Sequence, residues 1–127
     1  MSIGINFGIH EVALKARSAR AQLLAQNIVN ADTPGYKAKD LDFDAIFKGS
    51  AQGTLNKTHK HHVDSAPNNI SIGTILYRTP NQPSLDGNTV DSDAEKAMFA
   101  ENIQRFNATV NFIDSRIKSL KKAITGQ

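Results

Sequence analysis

The sequence contains no cysteine and no tryptophan, and only two tyrosines and six phenylalanines among its 127 residues. The absence of cysteine excludes disulfides, thiolate metal sites and cysteine nucleophiles. The scarcity of large aromatic side chains removes the usual anchors of small cores and ligand pockets. With an apolar fraction of 39%, we expect helix-forming aliphatic residues to carry the packing, and we expect no large self-contained core.

Long hydrophobic runs are also missing. No stretch approaches the roughly 20 apolar residues of a membrane-spanning helix. The first eight residues lack the basic region and apolar run of a cleavable secretory signal, so export would need a route that leaves the N-terminus intact. The 15 basic and 12 acidic residues are largely interspersed, which argues against a nucleic-acid-binding surface.

Motifs for catalysis or metal binding are scarce. There is no recognisable nucleophile motif and no glycine-rich phosphate loop. His59, His61 and His62 form the only cluster with metal-ligand chemistry, but Asp64 is the only further ligand at suitable spacing, and polar surface is the simpler interpretation.

Two aspartate pairs, Asp40 with Asp42 and Asp91 with Asp93, lie beside turns or helix starts, where aspartate caps backbone amides. We therefore expect no enzyme activity, no cofactor and no functional metal site.

The first segment, about residues 6–31, favours helix because it is rich in alanine, leucine, glutamine and arginine. Its apolar residues form two stripes, and a helix that is apolar on two sides needs partners on two sides. One stripe contains Phe7, Leu14, Ala21, Leu24, Ile28 and Ala31, and the other contains Ile5, Ile9, Val12, Ala16, Ala19 and Leu23. The residues expected to dominate the packing are Phe7, Val12, Leu14, Ala21, Leu24 and Ile28.

The helix is predicted to stop before Pro34, because proline disfavours helical geometry at the preceding Thr33. Pro34-Gly35 suits a type II turn in which the glycine takes a positive φ. Residues 1–36 are therefore interpreted as an N-terminal helix followed by this turn.

Residues 37–90 hold the other three prolines and most of the remaining glycines, with short extended-looking pieces at residues 70–72 and 74–77. This loop-rich and β-rich middle segment is either a small β-hairpin with loops or disordered until bound.

The last segment, residues 91–127, is predicted to be a long helix. Ser92 and Glu95 have the spacing of a capping box. In this motif the serine side chain accepts a hydrogen bond from a free backbone amide at the helix start, and the glutamate side chain accepts one from the amide of the serine. The positive charges of three lysines near the C-terminus interact favourably with the negative end of the helix dipole. These are Lys118, Lys121 and Lys122, and Gly126 is predicted to end the helix.

Apolar residues in this helix recur at alternating steps of four and three, which is typical of a coiled-coil seam. The predicted assembly seam consists of Phe99, Ile103, Phe106, Val110, Ile113, Ile117, Leu120 and Ile124. The helix would span roughly 50 Å, which is long for a chain of this size.

The fold class indicated is mainly α, with terminal helices paired as a coiled-coil-like hairpin around an irregular middle containing short β-strands. Each buried seam side chain contributes about 1.5–3 kcal/mol. The sum over the seam scarcely exceeds the conformational entropy that is lost when the whole helix becomes ordered. We therefore expect the helices to pair with each other and with neighbouring subunits. The alternatives are a monomeric helical hairpin and a soluble binding module that presents its seam to one partner helix.

Residues 26–38 resemble the N-terminal signature shared by rod and hook proteins of the bacterial flagellum, with Val29 departing from the usual Asn-Ile-Ala-Asn. Further matches at residues 39–43, 58–62 and 77–91 are similar to proximal-rod proteins of the FlgB type, across nearly the whole chain. The signature places these residues in the turn: Asn27, Asn30, Asp32, Thr33, Pro34, Gly35 and Tyr36.

The resemblance implies a structural subunit of the proximal rod, the drive shaft that transmits torque and surrounds the export channel. It also implies export by the flagellar type III apparatus without a cleaved signal, and location in the rod that crosses the periplasmic space. The implied partners are copies of itself, other rod subunits, the rod–base adaptor protein, the membrane ring and the export gate, with no nucleic acid and no small-molecule substrate.

Overall fold

The computed structural model describes residues 8–51 and 74–126. Along the chain, the described elements are helix α1 (Ile9–Val29), strand β1 (Lys39–Leu41), helix α2 (Phe43–Ala51), strand β2 (Ile75–Tyr77) and helix α3 (Ser92–Thr125). The mainly helical class with long terminal helices and short strands between them is confirmed.

The two long helices run antiparallel. Residues late in α1 contact residues early in α3, and residues early in α1 contact residues later in α3. Asn27 binds Glu95, Asn102 binds the carbonyl of Arg17, and His10 stacks on Phe112 with ring centroids 5.8 Å apart. This order produces the predicted helical hairpin.

A small apolar core lies on the other side of α1. Val12 and Ala16 from α1 are buried with Leu41 from β1 and Ile46 from α2, and partly buried neighbours cover this cluster. These α1 residues belong to one of the two predicted stripes, whose members Ala19 and Leu23 also pack here. The prediction that α1 has partners on two sides is confirmed.

The two strands form an antiparallel sheet in which Lys39 pairs with Tyr77 and Leu41 with Ile75. β2 lies within the extended piece expected at residues 74–77. Helix α2 was not predicted. Asp42 begins it, because its carboxylate accepts a hydrogen bond from the amide of Ala45 at 3.0 Å.

The ends of α3 match the sequence in one case and depart from it in the other. Gly126 ends the helix with a φ of 72°, as predicted. At the start, the predicted capping box is wrong: Asp91 is the cap, and its carboxylate accepts from the amides of Asp93 and Ala94, both at 3.2 Å. Glu95 does not take part in the cap. Its side chain is instead almost completely buried, at 1% exposure.

Among residues 8–51 and 74–126, no helix combines the length and the apolar character required to span a bilayer.

Candidate assembly interface

The structure divides the predicted seam into two rows along α3. The inner row shares the face of α3 that packs on α1, and its residues Phe99, Phe106 and Ile113 are half-buried. Beside this row, one turn before each of the three residues, lies a line of polar positions that are almost completely buried, Glu95, Asn102 and Thr109. The hairpin therefore covers part of the inner row, around a central line that is polar.

The outer row of the seam is only partly covered in the subunit. Its side chains become more exposed along the helix, from 37% at Ile103 and 41% at Val110 to 46% at Ile117 and 85% at Ile124. Leu120, the last member of the inner row, is 40% exposed. A continuous row of aliphatic side chains half open to solvent is typical of an interaction surface.

The exposed apolar surface extends past the described part of α1. His10, near the start of α1, contacts Phe112, whereas α3 continues to Thr125. Thirteen residues lie between Phe112 and Gly126, which at about 1.5 Å per residue corresponds to roughly 20 Å of helix. Every residue from Asp114 onwards in the described part of α3 is exposed.

The residues predicted to pack the N-terminal helix differ in burial. Val12 lies in the apolar core, and Leu24 is completely buried, on the line of α1 between Arg17 and Asn27 that contacts α3. Leu14, Ala21 and Ile28 are half-buried. Phe7 lies outside the described residues.

Asn27, from the sequence signature, joins three parts of the fold. Its side-chain amide donates to the carbonyl of Lys39 at 2.8 Å, and its oxygen accepts from the amide of Lys39 at 3.0 Å. The Tyr36 hydroxyl also donates to that oxygen, at 3.3 Å. Because the same amide group donates to Glu95, Asn27 ties α1 to β1 and to α3.

The turn after α1 has the predicted geometry. The amide of Tyr36 donates to the carbonyl of Thr33 at 3.3 Å, and Gly35 has a φ of 72°, as a type II turn requires. The Thr33 hydroxyl binds the side-chain oxygen of Asn30 at 3.2 Å, whereas Asp32 and Pro34 are exposed.

A second segment holds this turn from outside. The side-chain amide of the buried Asn88 donates to the carbonyls of Asn30, Ala31 and Thr33 at 2.8–3.1 Å, which satisfies backbone acceptors left free at the end of α1. The amide of Gly35 donates to the carbonyl of Asp86 at 2.9 Å. The matched stretches at residues 26–38 and 77–91 therefore lie against each other.

A chain of charged side chains links the same elements. Asp40 on β1 accepts from Arg20 on α1 through both oxygens, at 2.8 and 2.9 Å. Arg78, directly after β2, donates to Asp40 at 2.7 Å and pairs with the buried carboxylate of Glu95 on α3. Two cations and two anions thus alternate across four elements, and their charges balance.

The environment of Asp40 changes its titration. Burial alone raises the pKa of its carboxyl, but the hydrogen bonds from Arg20 and Arg78 outweigh burial, so the pKa is lower than the ordinary value of 3.8. Asp40 is therefore an ion-pair centre, and it also accepts from the backbone amide of Leu41 at 2.8 Å, as the expected amide-capping role requires. The capping role holds for Asp42 and Asp91 as well.

Arg17 lies beside this network, with its guanidinium 5.6 Å from the ring centroid of Phe43. Burial and the nearby charges of Arg105 and Arg20 lower its pKa, against the effect of Glu101. Its Nε atom and the Oδ1 atom of Asn102 are buried without hydrogen-bond partners in the described part of the chain.

These polar groups bind one another and hold the fold. Within residues 8–51 and 74–126, no three histidine or acidic side chains meet as a possible metal site. His59, His61 and His62 lie outside the described residues. Sequence reasoning missed Arg20, Arg78 and Asn88 and assigned Glu95 the wrong role, because their partners are distant along the chain. The sequence signal for Arg78 and Asn88 was that both belong to the matched stretch at residues 77–91.

Comparison with known proteins gives a consistent result, although no protein-family model matches the chain. The chain is 44% identical over 121 residues to the flagellar basal body rod protein FlgB of Cereibacter sphaeroides, with 94% of each chain covered. It is 42% identical over 122 residues to the protein of the same name from Proteus mirabilis, covering 90% of this chain and 89% of the relative. The corresponding Salmonella typhimurium protein is 38% identical over 122 residues, with 90% and 88% covered.

Proposed function

The chain belongs to the family of flagellar basal body rod proteins FlgB, and from this membership we propose that it works as a non-enzymatic building block of the proximal rod. It is a structural component of the flagellar basal body rod. In the proposal, the subunit helps to form the drive shaft, transmits torque and surrounds the export channel.

The observation that carries the proposal is the partly exposed outer row of the seam, Ile103, Val110, Ile117 and Ile124. Full burial of such a side chain contributes about 1.5–3 kcal/mol. Because the four side chains are 37–85% exposed, completing their burial would contribute roughly 3–6 kcal/mol gross, from which the losses on association are subtracted. An isolated subunit forgoes this stabilisation. Packing against neighbouring helices in a rod would recover it.

The polar network supports a mechanical role for the hairpin. Ion pairs connect α1, β1, the segment directly after β2, and α3, so that displacement of one of these parts requires separation of paired charges in a partly buried setting. The paired residues are Arg20, Asp40, Arg78 and Glu95. Such separation is strongly unfavourable. Because these groups bind one another, they support the transmission of force and provide no support for catalysis.

The proposed neighbours are copies of the chain, other rod subunits, the rod–base adaptor protein, the membrane ring and the export gate. The proposed location is the part of the rod that crosses the periplasmic space. Family membership supports both proposals through the basal-body location of rod proteins.

The test combines removal of the outer row with isolation of basal bodies. In cells lacking the native gene, the variant Ile103→Ser/Val110→Ser/Ile117→Ser should be produced at the normal level but be absent from purified basal bodies, and the cells should not swim. Val29→Ser is the matched control, because Val29 is 82% exposed at the end of α1 and lies outside the seam. Normal basal bodies with the triple variant would contradict the proposal and favour a binding module or a self-sufficient hairpin.

A further inference from the structure

Leu85 is the most exposed large apolar side chain in the described part of the chain, and it is fully solvent-accessible. It stands at the tip of a tight turn closed by the amide of Gly87 donating to the carbonyl of Ser84 at 3.1 Å. The Asp86 carboxylate accepts from the Ser84 hydroxyl at 2.5 Å and from the Asn88 amide at 3.0 Å.

Hydrogen bonds join this tip to the turn after α1. Its Asp86 carbonyl accepts from the amide of Gly35 at 2.9 Å, and the ammonium of Lys37 donates to the carbonyl of Gly87 at 2.9 Å. Because these hydrogen bonds fix the backbone of the turn, covering Leu85 with a partner costs mainly the rotamer freedom of its own side chain. We name Leu85 and Asp86 the knob.

A shallow apolar groove lies at the opposite end of α3. It has a volume of about 230 Å³ and is lined by Ile117, Leu120, Lys121, Ile124 and Thr125. Lys121 makes no ion pair within residues 8–51 and 74–126. The groove therefore combines aliphatic side chains with an available cation.

The knob cannot reach the groove of its own chain. The knob precedes α3, which starts at Ser92, and Leu120 lies 28 residues further along an unbroken helix. At about 1.5 Å per residue, this separation is roughly 42 Å. Any contact between the two features must join different copies.

The two features match in charge as well as in apolar character. The hydrogen bond from the Ser84 hydroxyl, followed by that from the Asn88 amide, lowers the pKa of Asp86 below its ordinary value, so the knob carries a negative charge at neutral pH. Lys121 supplies the opposite charge beside the groove. The nearby ammonium of Lys37 is hydrogen-bonded to the carbonyl of Gly87.

We propose that the knob of one copy docks into the groove of a second copy, with Leu85 against Leu120 and Ile124, and Asp86 beside Lys121. The contact joins unlike surfaces at opposite ends of the subunit. Such head-to-tail contacts do not close into a symmetric dimer and can repeat as a ring or an open helix. The inference rests on the proposed function and extends it in one respect, because it names the surfaces that copies use in the rod.

Cross-linking tests the contact directly, since the chain has no native cysteine. Full-length Leu85→Cys and Leu120→Cys proteins are mixed over a range of concentrations and oxidised, and a single chain with both changes is oxidised in purified basal bodies. We expect mixed dimers from the first experiment and a ladder of oligomers from the second. The control pair is Leu85→Cys with Ile103→Cys, because Ile103 is exposed to nearly the same degree as Leu120 on the same helix.

The expected mixed-dimer yield is at least tenfold above that of the control pair. Asp86→Lys in the chain carrying Leu85→Cys, or Lys121→Asp in the chain carrying Leu120→Cys, should each reduce the yield, and both changes together should restore it. Equal yields from both pairs, or dimers formed only through two copies of position 85, would overturn the contact. If no cross-link forms although the protein is present in basal bodies, the contact is wrong and the rod function stands. Absence of the cysteine-free protein from basal bodies would instead contradict the rod function.

Discussion

The side-chain amide of Asn27 donates to the carboxylate of Glu95 at 3.1 Å, across the two long helices. Both side chains are almost completely buried, at 0% and 1% exposure. Asn27 belongs to the turn signature, whereas Glu95 lies in the first turn of α3, so the contact joins residues 68 positions apart. Arg78 pairs with Glu95 and balances its charge at this point.

Removal of Glu95 should therefore destabilise the hairpin strongly. Glu95→Ala leaves the Arg78 cation without one of its two anions in a partly buried setting, and we expect a loss of about 3–5 kcal/mol in the free energy of unfolding. Chemical denaturation followed by circular dichroism measures it. Glu101→Ala is the control, because Glu101 forms an exposed pair with Arg105, and such pairs contribute about 1 kcal/mol or less. Equal losses would contradict a special role for Glu95.

Asp40 should make the fold sensitive to acid. Because its pKa in the folded state is lower than the ordinary 3.8, its ionised form contributes stability that is fully present above that value. The contribution is lost as the pH falls below 3.8 towards the folded-state pKa. The urea midpoint of the wild type should therefore fall more steeply from about pH 4 to about pH 2 than that of Asp40→Asn. Parallel curves for the two proteins would show that Asp40 is not responsible.

Asn88 offers a nearly isosteric test of the contact around the turn. Asn88→Ala removes a donor to three carbonyl groups, and we expect a loss of about 1–3 kcal/mol. Asn88→Asp should be worse, because a carboxylate would face the same carbonyl oxygens. Thermal melts compare both variants with Asn81→Ala, which alters an exposed residue of the same loop region. Should Asp be tolerated as well as Asn, the amide would have no role as a donor.

Substitutions at Gly35 distinguish the effect of backbone strain from that of a steric clash. A Cβ at this position would meet nothing within 4 Å, but the φ of 72° is unfavourable for branched side chains. Gly35→Val should cost about 1–3 kcal/mol, whereas Gly35→Asn should cost less because asparagine tolerates this conformation. The number of complete basal bodies, counted by electron microscopy, should fall for valine. A count unchanged from wild type would identify the turn as a tolerant surface loop.

The inner row should affect the subunit itself, in contrast to the outer row. Phe106 and Ile113 are half-buried, so we expect Phe106→Ala/Ile113→Ala to lower the stability of the isolated protein by about 2–3 kcal/mol per residue, the low end for Ile→Ala and Phe→Ala. Motility should fall as well. Ile103→Ala/Val110→Ala serves as the comparison, since these side chains are more exposed and their truncation should lower the denaturation midpoint by a smaller amount. Similar midpoints for both pairs would contradict the division into two rows.

Local signals predicted much of the fold. Pro34 and Gly35 act on their own backbone, so the end of α1 and the positive φ at Gly35 could be derived from residue type. The regular apolar steps predicted α3, and Gly126 its end, because helical periodicity depends on neighbours within two turns.

Long-range contacts could not be derived in this way. Ser92 and Glu95 have capping-box spacing whether or not Glu95 is drawn to a distant cation, and only the position of Arg78 decides the outcome. The same holds for Asp40, whose two arginine partners are 20 and 38 residues away. Helix α2 has nine residues and lacks the length from which periodicity can be recognised.

The polar line along the centre of the hairpin, Glu95, Asn102 and Thr109, bears on how a subunit tells its own helix from another's. Aliphatic stripes accept any similar stripe at several alignments. The Glu95 carboxylate, in contrast, can bind Asn27 and Arg78 in one alignment only. A shift of one helical turn, about 5.4 Å, would leave this buried carboxylate without its partners. Where identical helices stand side by side, α1 of a neighbouring chain is a competitor, and these polar contacts penalise mispairing. Each chain can thus complete its own hairpin while its aliphatic outer row remains open to others.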